Sequence, residues 1–192
     1  VVHVVFMADG VGARGQEKLE ALIQRNQARD RALGILGVKS WYSLGFLDNR
    51  MDSIPLLEVV QALEPLIQEH KPTHIYTHHH GDLNVDHRVT HQAVMTACRP
   101  LPGSSVMEVL AFEVLSSSEW AAPPALTFIP NAFVDISSYL PKKLEALACY
   151  ESEMRPHPHS RSFSHVEALA LRRGSFVGIA AAESFNVIRV IR

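Results

Sequence analysis

Two periodicities alternate along the chain. Val1–Ala8 is a continuous apolar, largely β-branched run, the pattern of a strand buried in a parallel sheet. Gln16–Leu36 changes to helical spacing, with apolar positions at Leu19, Leu22, Ile23, Leu33 and Leu36 in a charged background, and Gly37 stands where a helix can stop. Val38–Phe46 predicts a second strand. Ser53–Glu69 predicts a helix with Pro55 in its first turn and Pro65 placed to kink or divide it. Thr73–His78 predicts a third strand, Asp86–Cys98 a helix, Met107–Val114 a fourth strand and Phe133–Ile136 a short one. Pro123, Pro124 and Pro130 mark a loop between the last two. Ser138–Met154 predicts a serine-capped helix, Arg155–Ser162 a loop, Val166–Arg173 the start of another helix, and Phe185–Ile191 a last strand or helix. Strands alternating with helices predict an α/β fold with a mainly parallel sheet, as one domain over residues 1–192.

Composition narrows the class without choosing a function. Hydrophobic residues make up 47% and charged residues 20% of 192 residues, as in ordinary globular proteins. A formal net charge of −2 gives no reason to expect nucleic acid or an acidic membrane surface as partner. No apolar run approaches the roughly 20 residues of a membrane span, and the opening VVHVVFMADG has neither the basic region nor the cleavage pattern of a signal peptide. Cys98 and Cys149 have no metal-knuckle or disulfide spacing and read as free thiols, which suits a reducing, cytoplasmic compartment. The chain opens on Val1 rather than Met, directly in a strand, so residues before Val1 are expected in the full protein.

Histidine is the exception to this ordinary composition. Five of the 11 histidines, His78, His79, His80, His87 and His91, fall between residues 78 and 91. They occupy a strand end, a loop and a helix start, where Asn84 or Asp86 can cap the helix. His87 and His91, four apart, share one helix face. Neutral imidazole ligates zinc or iron well, and a nearby carboxylate can orient it. His87, between Asp86 and Arg88, is the better ligand candidate, while His91 alone reads as packed or solvated. In open α/β sheets sites lie beyond the carboxyl ends of strands. Asp9-Gly10, Asp48 and the histidines all follow predicted strands.

Other polar signals are weaker. Gly10-Val11-Gly12-Ala13-Arg14-Gly15 has the strand-to-helix setting of a dinucleotide fingerprint, which would imply an NAD(P)-binding oxidoreductase. However, Asp48 comes too late to be the ribose acid, and Asp9 puts negative charge where phosphates would lie. Asp48-Asn49-Arg50 reads equally as a turn, Arg25 as an exposed helix residue, and the loop with His157 and His159 as surface. Ser116-Ser117-Ser118 reads as a capped turn, since no nucleophile elbow surrounds it.

The string Gly81-Asp82-Leu83-Asn84-Val85-Asp86-His87-Arg88 resembles the second signature of the PIG-L / LmbE-like N-acetylglucosaminyl deacetylases. Phe6–Gly10, Leu36–Val38, Leu44–Asp48, Tyr150–Arg155, Arg172–Ser175 and Ala182–Phe185 resemble further segments of that family in order. The resemblance implies a Rossmann-like sheet with helices on both faces. It implies a zinc-dependent hydrolase that removes acetyl from an N-acetylglucosamine-type sugar or related linear amide, with homo-oligomers common among relatives. It implies that His87 is a zinc ligand, that Asp86 orients it or a nearby catalytic group, and that Arg25 and Asp48 contact the sugar. Asn84 stands where relatives carry an oxyanion-stabilising histidine; an amide can donate there but cannot pass a proton. His80 or His159 is another candidate for that role. The family's His-Pro-Asp-Asp motif, source of the other ligands and the general base, does not occur, so the chain is expected to begin at the family's second strand, with that motif upstream. A catalytically inactive member acting as a binding module is the alternative.

Overall fold

The computed structural model describes residues 1–11, 18–122 and 127–192. Gly12–Gly15 of the glycine run, the expected helix start at Gln16, and Pro123 and Pro124 lie outside the described residues. The chain forms two compact units. One comprises Val1–Asp48 and Phe133–Glu183, the other Asn49–Ala132 and Ser184–Arg192.

In the first unit, β1 (His3–Ala8) pairs in parallel with β2 (Ser40–Phe46), joined through α1 (Lys18–Leu36). Gly37, at φ +73°, ends α1: its N–H donates to Gly34 O at 3.1 Å and Val38 N–H to Leu33 O at 2.9 Å. That is the double closure a left-handed glycine permits. Ala28, Ala32 and Leu33 are the buried face of α1, which packs on α4 (Leu140–Ala148). The expected Ser138 cap is not used. Helix α4 starts one residue later behind Tyr139 with no side-chain cap, because Pro141 sits in its first turn and supplies no orphan N–H. Helix α5 (Phe163–Ser175) begins three residues before the expected Val166, because Ser162 caps it by accepting from His165 N–H. Ile136, Leu140, Ala170 and Ala181 form the core between these helices.

In the second unit a 3-10 turn at Met51–Ser53 leads into α2 (Leu56–His70). Pro65 does not divide α2, which runs through it as one helix. The lost backbone bond costs up to about 3 kcal/mol, and burial of Val59, Val60 and Leu63, each worth about 1.5–3 kcal/mol, offsets it. Strand β3 (His74–His78) runs parallel to β4 (Glu108–Phe112), and α3 (Val85–Ala97) lies between them in sequence and packs on α2. The apolar β4 is buried through Val109, Leu110 and Ala111. β6 (Ala182–Val190) pairs antiparallel to β4, and β5 (Ala132–Asp135) completes the strand order β3-β4-β6-β5. The architecture is thus a mixed α/β, Rossmann-like one: both strand pairs joined by a helix are parallel, and the C-terminal strand β6 is antiparallel to β4. The carboxyl ends of β1 and β2 carry Asp9 and Asp48, and that of β3 carries the histidine run. No helix among the described residues is long and apolar enough to cross a membrane.

Candidate active site

The loop from β3 to α3 is built by its own polar residues. His79 N–H extends the β3-β4 ladder by donating to Phe112 O at 3.1 Å. Asn84 is the cap of α3: its Oδ1 accepts from Asp86 N–H at 2.8 Å, and its Nδ2 donates to Asn49 Oδ1 at 3.2 Å. The Arg88 guanidinium reaches back to the carbonyls of Asp82 (2.8 Å) and Leu83 (2.5 Å), which fixes the loop against the helix. Asp86, buried in the first turn, accepts at one oxygen from Asn49 N–H (2.7 Å) and at the other from Met51 N–H (3.0 Å). Both lone-pair directions toward that turn are therefore used, and they hold Asn49 in its left-handed conformation at φ +53°.

The carboxylate facing His87 belongs to Asp82. Its Oδ1 lies 3.2 Å from His87 Nδ1, a close contact short of linear hydrogen-bond geometry. Asp82 is 1% exposed. Ser117 Oγ donates to its Oδ1, Ser118 Oγ to its Oδ2 at 2.9 Å, and Asn84 N–H to its Oδ1 at 3.0 Å. Burial pushes the Asp82 carboxyl up, but the His87 ring, Ser117 and the Asn84 amide together outweigh it and bring it down to about 2, so it is a carboxylate. His78 stacks on the His87 ring at 4.2 Å between centroids and 21° between planes. Burial first, then the His87 charge, lowers the His78 pKa to about 3, so His78 is a neutral partner in the stack. His87 therefore has one ring face covered and its Nδ1 side toward a carboxylate, which leaves Nε2 as the nitrogen for a ligand.

The remaining histidines divide by environment. His91 is buried, and its Nδ1 lies 2.8 Å from His78 O; a carbonyl only accepts, so His91 donates there and its role is structural. Burial lowers its pKa, and burial with His79 and His91 lowers that of the exposed His80. His79 is buried edge-on against Phe128. His159 Nδ1 accepts from Arg161 N–H at 3.0 Å within its own turn, and His157 is exposed.

In the first unit, Asp9 closes the strand ends: its Oδ1 accepts from Val11 N–H at 3.2 Å and Asp48 N–H at 3.4 Å. Gly10, at φ +71°, lets the Arg25 guanidinium approach; a Cβ there would meet Arg25 at 3.0 Å. Arg25 pairs with Glu153 at 3.1 Å and lies over the Tyr150 ring at 5.2 Å. Glu153 also binds Arg161 at 2.6 Å. Burial raises the Tyr150 pKa, opposed by Arg25 and Arg29.

The expected residues thus form two groups, Asn84, Asp86 and His87 in one unit and Arg25 and Asp48 in the other. Sequence reasoning passed over Asp82, Ser117 and Ser118 as functional candidates. An acid two residues before a helix cap reads as solvated loop, and only the β3-β4 pairing brings the serine turn to it. Among the described residues no group of three or more His, Cys, Asp or Glu side chains could hold a metal ion. Catalytic zinc sites use three protein ligands, and His87, with its Nδ1 backed by a carboxylate, has the donor chemistry of one of them.

Comparison with known proteins bears on what this arrangement does. The model of the PIG-L family, described as GlcNAc-PI de-N-acetylase, matches residues 1–98. The protein called uncharacterized deacetylase YaiS of Escherichia coli (strain K12) is 30% identical over 154 residues, 77% of this chain and 76% of that protein. Two solved structures share the fold. N,N'-diacetylchitobiose deacetylase from Pyrococcus horikoshii superposes with a TM-score of 0.75 at 20% identity, over 97% of this chain and 72% of its own. The zinc-inhibited form of teicoplanin deacetylase Orf2 superposes with a TM-score of 0.73 at 16% identity, over 97% and 87%. With a family model covering just over half its length and a deacetylase relative aligned over three quarters of it, the chain belongs to the PIG-L family of deacetylases.

Proposed function

We propose that the protein is a metal-dependent N-deacetylase that hydrolyses the acetamide of a small N-acetylglucosamine-type compound, with zinc as the metal. The observation that carries this reading is His87 at the start of α3, its Nδ1 toward the buried Asp82 carboxylate and its Nε2 left for a ligand. A metal bound there would polarise the acetamide carbonyl and lower the pKa of a water. The chain's own residues do the rest. Asn84 has two amide hydrogens; one meets Asn49, and the second is available to a tetrahedral oxyanion. Asp86 acts by fixing the Asn49–Met51 turn beside Asn84. Arg25, held by Glu153, and Asp48 bind sugar hydroxyls.

The test is acetate release from a panel of N-acetylglucosamine, its β-linked dimer and N-acetylglucosaminides with polar aglycones, with one equivalent of zinc. Zinc in excess is included as a separate arm, since a zinc-inhibited form is known for the Orf2 deacetylase. Release by the natural protein, abolished in His87→Ala together with metal binding, supports the reading. Metal bound with no acetate released from any of them leaves the chain a binding module.

A further inference from the structure

We infer that Asp82 is the positioning residue for His87, and that Ser117 and Ser118 keep its carboxylate aimed. This rests on the reading of His87 as a metal ligand. A carboxylate at 1% exposure loses most of its hydration and persists only where several donors replace water. Asp82 has three: both serine hydroxyls and the Asn84 amide. Closing the loop as an Asx-turn would need only the Asn84 amide on one oxygen. The two serines come from a different loop, and their hydroxyls are committed to this one side chain. Ser118 Oγ is itself fixed by accepting from Val114 N–H at 2.8 Å, and Ser117 Oγ by accepting from Asn84 N–H at 3.2 Å. The carboxylate so braced holds its Oδ1, which also takes Ser117 and the Asn84 amide, 3.2 Å from His87 Nδ1.

Asp86, the sequence neighbour of His87, turns its two oxygens to the Asn49 and Met51 amides, and the carboxylate 3.2 Å from His87 Nδ1 is that of Asp82. The His78 stack limits tilting of the His87 ring, and Asp82 limits its rotation in plane. A carboxylate accepts and cannot donate, so Asp82 favours the tautomer with the proton on Nδ1 and the lone pair on Nε2. That is the form a metal takes up, and such outer partners typically contribute about 10–100-fold to metal affinity.

The experiment measures zinc affinity by competition with a chromophoric chelator, and the His87 tautomer by nitrogen-15 NMR of the metal-free protein, using the protein as its gene encodes it. Asp82→Asn is expected to weaken zinc about 10–100-fold and to let the Nε2–H tautomer of His87 appear. Ser117→Ala with Ser118→Ala keeps the carboxylate and should weaken zinc by less, in the same direction. His87→Ala should reduce binding to background. If His87→Ala removes zinc while Asp82→Asn and the serine double variant bind like the natural protein, the positioning role is overturned and the ligand assignment stands. If His87→Ala binds zinc unchanged, the ligand assignment falls and the inference with it. Should Asp82→Asn fail to fold, the tautomer in the natural protein decides: a proton on Nδ1 supports the role, and a proton on Nε2 overturns it.

Discussion

The two polar clusters of this protein use the same kinds of charge in opposite ways. In the second unit, Asp82 is 1% exposed and its oxygens are divided among three donors and a histidine. In the first unit, Arg25 and Glu153 form an ion pair with side chains 29% and 36% exposed. Breaking a buried charged network leaves stranded groups and costs several kcal/mol, whereas a solvated pair is worth about 0–1 kcal/mol. Under the proposed function, His87 as a metal ligand would need a fixed orientation, and Arg25 at a sugar would exchange partners when substrate arrives. The two clusters differ in burial in the direction that such a division would require.

The largest effect is expected at Asp86. Its carboxylate takes two backbone amides, one of them from Met51, which is fully buried. Asp86→Ala strands the buried Met51 N–H and frees the exposed Asn49 one, and should cost about 1–3 kcal/mol, the cost of one unsatisfied buried group. Urea unfolding would measure it. A loss below about 1 kcal/mol would place Asp86 with the solvated pairs and erase the contrast.

The same contrast explains what could be read from the sequence. Order and type of the strands and most helices followed from period and length, because β4 and α2 bury what their patterns say they bury. His87 and the Asn84 cap were legible because a helix start has local chemistry. A division of α2 at Pro65 and a cap at Ser138 fail for one reason: a local breaker or cap signal is outweighed, by the buried face of α2 in one case and by Pro141 in the other. Asp82 and its serines, 35 and 36 residues apart, were not legible, since their meeting depends on the parallel pairing of β3 with β4. The Arg25–Glu153 pair is longer-range still, and nothing in either local pattern points to the other residue.

Gly10 is the next test, on the solvated side. Its φ of +71° and the Arg25 guanidinium 3.0 Å from a would-be Cβ both oppose a side chain. Gly10→Ala should cost about 1–2 kcal/mol from the left-handed backbone, and, if Arg25 holds the sugar as proposed, should also raise KM by displacing Arg25 while leaving kcat nearly unchanged. A drop in kcat with KM unchanged would separate Arg25 from substrate binding. Glu153→Gln should be milder, within about 1 kcal/mol in stability, with its difference from the natural protein shrinking as salt rises, since exposed pairs are screened. A loss that persists at high salt would mean the pair behaves as a buried one.

The smallest effect at neutral pH concerns the two cysteines, one in each unit. Cys98 is 2% exposed, and Cys149 is partly exposed. Burial, opposed in part by Arg189, pushes the Cys98 thiol up to about 11 from an ordinary value of 9.0. Only the thiolate reacts with disulfide reagents. At pH 8, such a reagent should therefore modify one thiol per native chain, Cys149, and reach Cys98 only when the chain unfolds. The linkage has a definite sign: with the folded pKa above the unfolded one, the unfolded chain releases this proton first. Stability from Cys98 is thus complete below pH 9 and declines as pH rises toward 11, and Cys98→Ala should flatten that decline without changing its course at pH 7. Two thiols reacting at one rate in the native protein would show that the second unit opens as readily as the first, and the fixed site inferred around Asp82 would lose its footing.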